Sequence, residues 1–168
     1  MITQTKETQE VLSPKDALNL LVDGNKRFVQ NLKAQRDLLS QVKQTSTGQF
    51  PFAVILGCID SRTPMELIFD QGIGDIFSVR VAGNIINEDV LGSMEYSCKV
   101  AGSKVLVVMG HTKCGAVTAA CKGVKLGNIT PLLAKIQPAV DVISATVDGK
   151  FNDEDVEKVV LLNVELLN

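Results

Sequence analysis

Two short motifs, each placed directly after an apolar run, limit what this chain can fold into. Cys58 follows the run 52–56, and His111 and Cys114 follow the run 105–109. Each run has the length and composition of a buried strand. If these strands are parallel neighbours, their carboxyl ends share one edge of a sheet and bring the three side chains together. Two thiolates and one imidazole are a zinc-binding set, and three protein ligands leave a fourth position for water or a carboxylate.

Predicted strands and helices alternate through the middle of the chain. In order they are 52–57, 63–70, 76–81, 89–100, 104–109 and 116–122. This alternation is typical of a parallel sheet with right-handed crossovers, and the apolar strands indicate burial on both faces. We therefore expect an α/β fold with a central, mainly parallel sheet flanked by helices. The site is expected beyond the carboxyl ends of the strands.

The N-terminal third is predicted to hold one long helix between two polar segments. Residues 1–12 are interpreted as a polar lead with the character of a mobile arm. Ser13 and Pro14 suit the start of a helix, which opens the N-terminal helix region 13–34. Residues 33–48 are interpreted as a polar connector.

The C-terminal region, 130–168, is predicted to be helical. One helix is expected from about 131 to 145, and a second from about 152 to the end of the sequence. The whole chain is interpreted as a single zinc-binding domain, with residues 50–122 as its catalytic core. A length of 168 residues is sufficient for one domain with a sizeable core.

Composition argues against several classes of partner. The net charge of −2 does not favour nucleic acid or a membrane surface as a partner. Residues 1–10 are polar and lack an apolar signal core, and no apolar run reaches the length of a membrane span. We therefore expect a cytoplasmic protein that binds neither nucleic acid nor membrane.

Two further cysteines lie outside the paired motifs. Cys98 and Cys121 each fall in a predicted helix. They could form a redox pair or supply extra metal ligands, or they could be small buried hydrophobic residues. The second interpretation is favoured, because the chain has the features of an intracellular protein and the spacing suits no closed four-cysteine site.

The paired motifs carry a family resemblance. Cys58-x-Asp60-x-Arg62 together with His111-x-x-Cys114 resembles the β class of carbonic anhydrases. The flanking motifs agree with it and read Gly24-Asn25-x-Arg27-Phe28 and Val79-Arg80-x-Ala82-Gly83-Asn84. The resemblance implies a zinc ion, reversible hydration of carbon dioxide to bicarbonate, and assembly as a homodimer or homotetramer. Proteins of this class usually continue into a further helix and a C-terminal edge strand, and this sequence has no match to that strand.

The same resemblance assigns four residues to substrate binding. Gln49, nine residues before Cys58, would donate a hydrogen bond to a substrate oxygen, with a polar loop residue as the alternative. Phe77, Ala82 and Tyr96 would form the pocket wall, partly across a dimer. Ala82 is smaller than the valine often found at that position, and Tyr96 could instead pack within its helix.

Asp60 and Arg62 are the predicted catalytic residues. A zinc centre with two thiolates and a neutral imidazole carries no net charge, so it acidifies bound water less than a three-imidazole centre does. Asp60 can accept the hydrogen bond of a zinc-bound hydroxide, and Arg62 can keep Asp60 ionised and oriented. The alternative is a salt bridge that only fixes the turn. His111 is the only histidine in the sequence. If it binds the metal, no other histidine of this chain is available to carry protons away from the site.

Two other functions are compatible with these residues. One is hydrolysis of carbonyl sulfide or carbon disulfide, since related hydrolases have the same ligand set. The other is a catalytically impaired structural or regulatory zinc protein, in which Asp60 is the fourth ligand and closes the site.

Overall fold

Three parallel strands form a sheet in the order β2-β1-β3. The strands are β1 at Ala53–Gly57, β2 at Ile76–Arg80 and β3 at Val105–Met109. Their starts are aligned, because the Phe52 N–H donates to the Asp75 carbonyl and the Lys104 N–H donates to the Phe52 carbonyl. All five residues of β1 are buried, as its unbroken apolar run indicates for a central strand. The predicted α/β fold is confirmed.

The computed structural model describes residues 3–167, which divide into two units. The first unit comprises residues 3–56, 64–79 and 88–107, and the second comprises 57–63, 80–87 and 108–167. The chain enters the second unit at the last residues of each strand, at Gly57, Arg80 and Val108. Both ends of the predicted single domain 1–168, residues 1–2 and 168, lie outside the described residues, and that organisation stays a prediction.

Short helices connect the strands and make up most of the remaining chain. Those of the first unit are α1 Lys6–Val11, α2 Pro14–Val29, α3 Leu38–Gln44, α4 Met65–Ile68 and α5 Glu88–Glu95, which continues as a π-helical turn Tyr96–Val100. Those of the second unit are a 3₁₀ turn Ala82–Asn84, α6 Gly115–Cys121, α7 Ile129–Leu133, α8 Gln137–Ser144 and α9 Asp153–Glu165. Among the described residues, no helix combines the length and apolar character needed to cross a membrane.

The interpretation of residues 1–12 as a mobile lead is wrong for residues 3–12. Thr5 caps α1, and Gln9 on that helix is buried. The Gln9 Nε2 group donates to the carbonyls of Pro51 at 2.7 Å and Ala101 at 2.8 Å. A polar segment is therefore docked by a buried amide whose hydrogen bonds are made with backbone groups far along the chain.

Two helix predictions are also corrected. The predicted connector 33–48 contains α3, which Asp37 caps by accepting a hydrogen bond from the Ser40 N–H at 3.0 Å. The single helix predicted over 131–145 is two helices, α7 and α8, with Pro138 in the first turn of the second. Proline cannot occupy a helix interior without losing a hydrogen bond, so the chain starts a new helix there.

Gly24 allows α2 to lie close to the segment after α4. Gly24 lies within α2, which continues through it without a break. A Cβ atom at this position would lie 1.8 Å from the Phe69 carbonyl oxygen. The glycine is therefore required by a close backbone contact and does not break the helix.

Asp70 is the centre of a buried ion cluster in the first unit. Its carboxylate accepts hydrogen bonds from Arg27, from Arg36 Nη1 at 2.6 Å and from the Ala34 N–H at 3.0 Å. The Asp70 and Arg36 side chains are only 8% and 7% exposed. Burial by itself raises the pKa of Asp70, but the hydrogen bonds from Arg27, Ala34 and Arg36 outweigh it and hold that pKa below its usual value.

Replacing Asp70 with Asn should lower the free energy of unfolding by about 3 kcal/mol, because the buried Arg36 cation loses its anionic partner. Asp70 has a φ of 42°, which asparagine also tolerates, so the change adds no backbone strain. Urea unfolding at neutral pH measures the effect, with Asp148→Asn at an exposed position as the matched control.

The same variant should show a defined pH dependence. A carboxyl whose pKa is lowered by folding contributes fully above its unfolded pKa of about 4 and loses that contribution as the pH falls through the folded value. The stability difference between the natural chain and Asp70→Asn should therefore be constant near neutrality and shrink in acid. A difference that persists unchanged well below pH 4 would contradict the assignment.

Candidate metal centre

Cys58, His111 and Cys114 lie together in the second unit. One ligand atom from each residue lies within 4.8 Å of the other two, an arrangement that could hold a metal ion. Cys58 directly follows β1, His111 comes two residues after β3, and Cys114 caps the start of α6. Both cysteines are buried and belong to the apolar core of this unit. We call these three residues the donor cluster.

The His111 ring has one nitrogen engaged and one available. Its Nδ1 atom lies 2.9 Å from the Thr112 carbonyl oxygen, so Nδ1 carries the proton and donates it. Nε2 then keeps its lone pair, is buried, and has no hydrogen-bond partner within residues 3–167. A buried acceptor without a partner is costly, and a metal ion is the partner that this geometry suits. The donor cluster therefore has the chemistry of a metal-binding site.

The two thiols have different surroundings. Burial raises the pKa of the Cys114 thiol; the backbone N–H groups of Val117 and Ala116 act in the opposite direction, and the nearby Cys58 sulfur raises it further. The Cys58 sulfur instead accepts a hydrogen bond from the Gly83 N–H at 3.3 Å. Since thiolates are the metal-binding form, metal binding at this cluster should release protons.

Gly83 is required where the backbone meets Cys58. Its φ is +68°, and a Cβ atom there would lie 2.7 Å from Ile136 Cδ1 and 3.2 Å from the Ala116 Cβ. Both the backbone conformation and the packing therefore favour glycine. The Asn163 side chain on α9 donates to the Gly83 carbonyl at 3.2 Å and helps to hold this turn in place.

Asp60 and Arg62 form a two-pronged ion pair beside the donor cluster. Arg62 Nε donates to Asp60 Oδ1 at 2.9 Å, and Arg62 Nη2 donates to Oδ2 at 2.8 Å. The Arg62 backbone N–H also donates to Oδ1, at 2.9 Å. These side-chain and backbone hydrogen bonds hold the pKa of Asp60 well below its usual range. The carboxylate is therefore ionised, with Oδ2 at 3.9 Å from His111 Nε2.

Arg80 anchors the first motif from the end of β2. Its Nε atom donates to the Cys58 carbonyl at 2.9 Å, and its Nη2 atom donates to the Asp60 carbonyl at 2.6 Å. Both carbonyls belong to the segment that carries Cys58 and Asp60, so Arg80 holds this loop in place within the second unit.

The second motif has contacts that the sequence did not predict. Lys113, directly before Cys114, has a φ of +53°. Its N–H donates to Glu157 Oε1 at 2.8 Å, and its carbonyl accepts a hydrogen bond from Arg62 Nη2 at 3.3 Å. Glu157 and Asn163 on α9 are thus contact residues of the site that the sequence alone does not indicate as such. The only sequence signal was a polar Asn163 within the apolar stripe of α9.

The residues assigned to the substrate pocket are divided between the units. Ala82 lies in the second unit, half-buried in its 3₁₀ turn. Gln49, Phe77 and Tyr96 lie in the first unit. There Gln49 is exposed, and the Phe77 and Tyr96 rings pack edge to face with centroids 6.3 Å apart. The assignment of these four residues to substrate binding stays a prediction.

The remaining cysteines are free thiols outside the donor cluster. Cys98 lies in the first unit and Cys121 in the second, and both are half-buried, not fully buried as the sequence indicated. Burial raises the pKa of the Cys121 thiol, which makes it less reactive.

Comparison with known proteins points to one family. A family model described as carbonic anhydrase matches residues 53–167. Carbonic anhydrase 2 of Mycobacterium tuberculosis is 44% identical over 119 residues, which make up 70% of this chain and 57% of that protein. The chain thus spans little more than half the length of this curated relative.

Solved structures share the fold. The β-carbonic anhydrase CafA of Aspergillus fumigatus superposes with a TM-score of 0.71 at 28% identity, over 90% of this chain and 73% of that one. A Coccomyxa β-carbonic anhydrase, solved in complex with acetazolamide, gives a TM-score of 0.69 at 26% identity, over 89% of this chain and 68% of that one.

Proposed function

This chain belongs to the β-class carbonic anhydrase family, and we propose that it catalyses the reversible hydration of carbon dioxide to bicarbonate and a proton. The observation that carries the proposal is the donor cluster, three ligand atoms within 4.8 Å of one another beside an ionised carboxylate. Two thiolates and an imidazole are a donor set that zinc favours, so the cofactor we propose is one zinc ion held by Cys58, His111 and Cys114.

Zinc supplies the Lewis acidity that makes water nucleophilic at neutral pH. The role proposed for Asp60 is to orient that water. Asp60 Oδ2 would accept a hydrogen bond from the attacking water, which would leave a lone pair on the water oxygen to face the carbon of carbon dioxide. Because the carboxylate is ionised at neutral pH, it is available as an acceptor throughout the cycle.

Arg62 is proposed to fix the position of that acceptor. Its two side-chain hydrogen bonds use one lone pair on each Asp60 oxygen and prevent the carboxylate from rotating. This engagement argues against the alternative in which Asp60 leaves Arg62 and closes the site as a metal ligand. A salt bridge that only stabilised the turn would not require the Asp60 carboxylate to lie 3.9 Å from His111 Nε2.

The proton released by the reaction leaves without help from a histidine of this chain. His111 is the only one, and its Nδ1–H is engaged with the Thr112 carbonyl. Asp60 is too weak a base to hold the proton at neutral pH, because Arg62 lowers its pKa. Water or buffer is therefore the proposed acceptor, and turnover should increase with buffer concentration.

We also propose that the chain works as a homodimer or homotetramer in the cytoplasm. Support for assembly comes from three apolar side chains that are exposed at helical spacing on one face of α2, those of Leu18, Val22 and Val29. Support for the compartment comes from the four free cysteines. Light scattering on the purified chain measures the oligomer.

The substrate assignment is tested by comparing three gases. The zinc-loaded chain should hydrate carbon dioxide far faster than it hydrolyses carbonyl sulfide or carbon disulfide. Preference for either sulfur compound would replace the proposed reaction with the corresponding hydrolase activity. Stoichiometric zinc without turnover of any gas would favour a structural or regulatory role.

A further inference from the structure

Glu157, on α9, contacts the turn that joins two members of the donor cluster. Its Oε1 atom accepts the hydrogen bond of the Lys113 N–H at 2.8 Å. Lys113 lies between His111 and Cys114, and its φ of +53° belongs to the left-handed region, which residues with a side chain seldom adopt. An external contact is therefore needed to keep this turn in one conformation.

The opposite side of Lys113 is held as well. Arg62 Nη2 donates to the Lys113 carbonyl at 3.3 Å, and the same guanidinium group holds both oxygens of Asp60. The N–H and the carbonyl of a residue lie on either side of its two rotatable backbone bonds. Glu157 and Arg62 together therefore restrain both φ and ψ at the residue directly before Cys114.

Helix α9, which carries Glu157, is packed tightly against the rest of the second unit. Val156, Val159 and Val160 on α9 are buried in the core of the second unit, and an Asn152 capping box fixes the start of the helix. The turn approaches the helix closely, since a Cβ atom at Gly110 would lie 2.9 Å from Val160 Cγ1. A side chain on a packed helix holds a site more precisely than one on a loop.

We propose that Glu157 is a positioning residue of the metal centre. By holding the Lys113 N–H it fixes the left-handed turn that brings Cys114 and His111 to Cys58. Through the Lys113 carbonyl it also fixes the position of the Arg62 guanidinium on Asp60. The inference rests on the proposed function for the identity of the metal and the reaction, but the contacts themselves lie within this chain.

The test is zinc affinity, measured by competition with a chelator of known affinity at fixed pH. Glu157→Ala should bind zinc about tenfold or more weakly, the scale seen when groups that orient metal ligands are lost. Glu157→Gln should keep most of the affinity, because its amide oxygen still accepts the Lys113 N–H. Glu165→Ala, which removes the same charge from an exposed position on α9, should match the natural chain.

A second readout separates positioning from general stability. In the cobalt-substituted protein, the visible bands report the geometry of the ligands around the metal. These bands should shift in Glu157→Ala and return in Glu157→Gln. A purely structural role would lower the thermal midpoint of Glu157→Ala and leave the bands unchanged, which would overturn the inference.

Each remaining outcome also decides the question. Unchanged zinc affinity in Glu157→Ala would overturn the positioning role alone, with the proposed function intact. A natural chain that bound neither zinc nor cobalt would overturn the proposed function and this inference with it. If Glu157→Ala does not fold, Glu157→Asp takes its place, because the shorter side chain moves the carboxylate away from the Lys113 N–H. A zinc affinity in Glu157→Asp equal to that of the natural chain would overturn the positioning role.

Discussion

Cys114→Ser should lose most of its zinc, with an affinity at least about a hundredfold below that of the natural chain. The thiolate of Cys114 is one of three proposed protein ligands, and a serine hydroxyl is a far poorer zinc ligand because it stays protonated at neutral pH. Serine is otherwise close in size, so the buried site is not emptied by the change. Zinc content per folded chain, measured after dialysis against a weak chelator, gives the result.

The matched control is the double variant Cys98→Ala/Cys121→Ala. Both cysteines are half-buried and lie outside the donor cluster. This variant should keep one zinc per chain, with a modest loss of stability from the two smaller side chains. Full zinc retention in Cys114→Ser, or zinc loss in a folded double variant, would show that the ligands are wrongly assigned.

The second large effect is expected from the ion pair of Asp60 and Arg62. Asp60→Asn and Arg62→Ala should both keep zinc and both lose hydration activity by about a hundredfold or more. Asparagine has no charge, and its NH₂ group cannot accept a hydrogen bond. Without Arg62, the carboxylate keeps its charge but loses the two side-chain hydrogen bonds that fix its orientation.

The two variants should respond differently to rescue. Removing Arg62 lets the Asp60 pKa rise towards the ordinary value of about 4, so the carboxylate still ionises at neutral pH. Raising the pH should therefore not restore Arg62→Ala, whereas millimolar guanidinium ion should restore it in part. Asp60→Asn should respond to neither treatment. Unchanged hydration by Arg62→Ala, with Lys125→Ala as the exposed control, would leave the pair only a structural role.

The sequence was sufficient for the features that depend on local patterns. The strands β1 and β3 have unbroken apolar runs, and a short motif follows each of them, so the convergence of Cys58, His111 and Cys114 follows from parallel pairing. The two-residue spacing of Asp60 and Arg62 likewise predicts their contact. The family resemblance, which these motifs and their flanking residues carry, assigns the same residues to the site.

Other features depend on tertiary contacts that no local pattern encodes. Gln9 is polar yet buried, because it donates to backbone carbonyls more than forty residues away. Asp70 gains its role only when Arg27 and Arg36 lie beside it. From the sequence alone, Glu157 is indistinguishable from an ordinary exposed helix residue. Its contact with Lys113 forms only because α9 lies against a turn much earlier in the chain.

The proposed mechanism is tested most directly by stopped-flow measurement of carbon dioxide hydration, with zinc content measured on the same sample. We expect about one zinc per folded chain, as the single donor cluster among the described residues implies. Catalysis should fall to the uncatalysed rate when a strong chelator removes the metal, and return in proportion to the zinc added back. A folded chain with one zinc and no hydration above background, or hydration that survives complete zinc removal, would contradict the proposed mechanism.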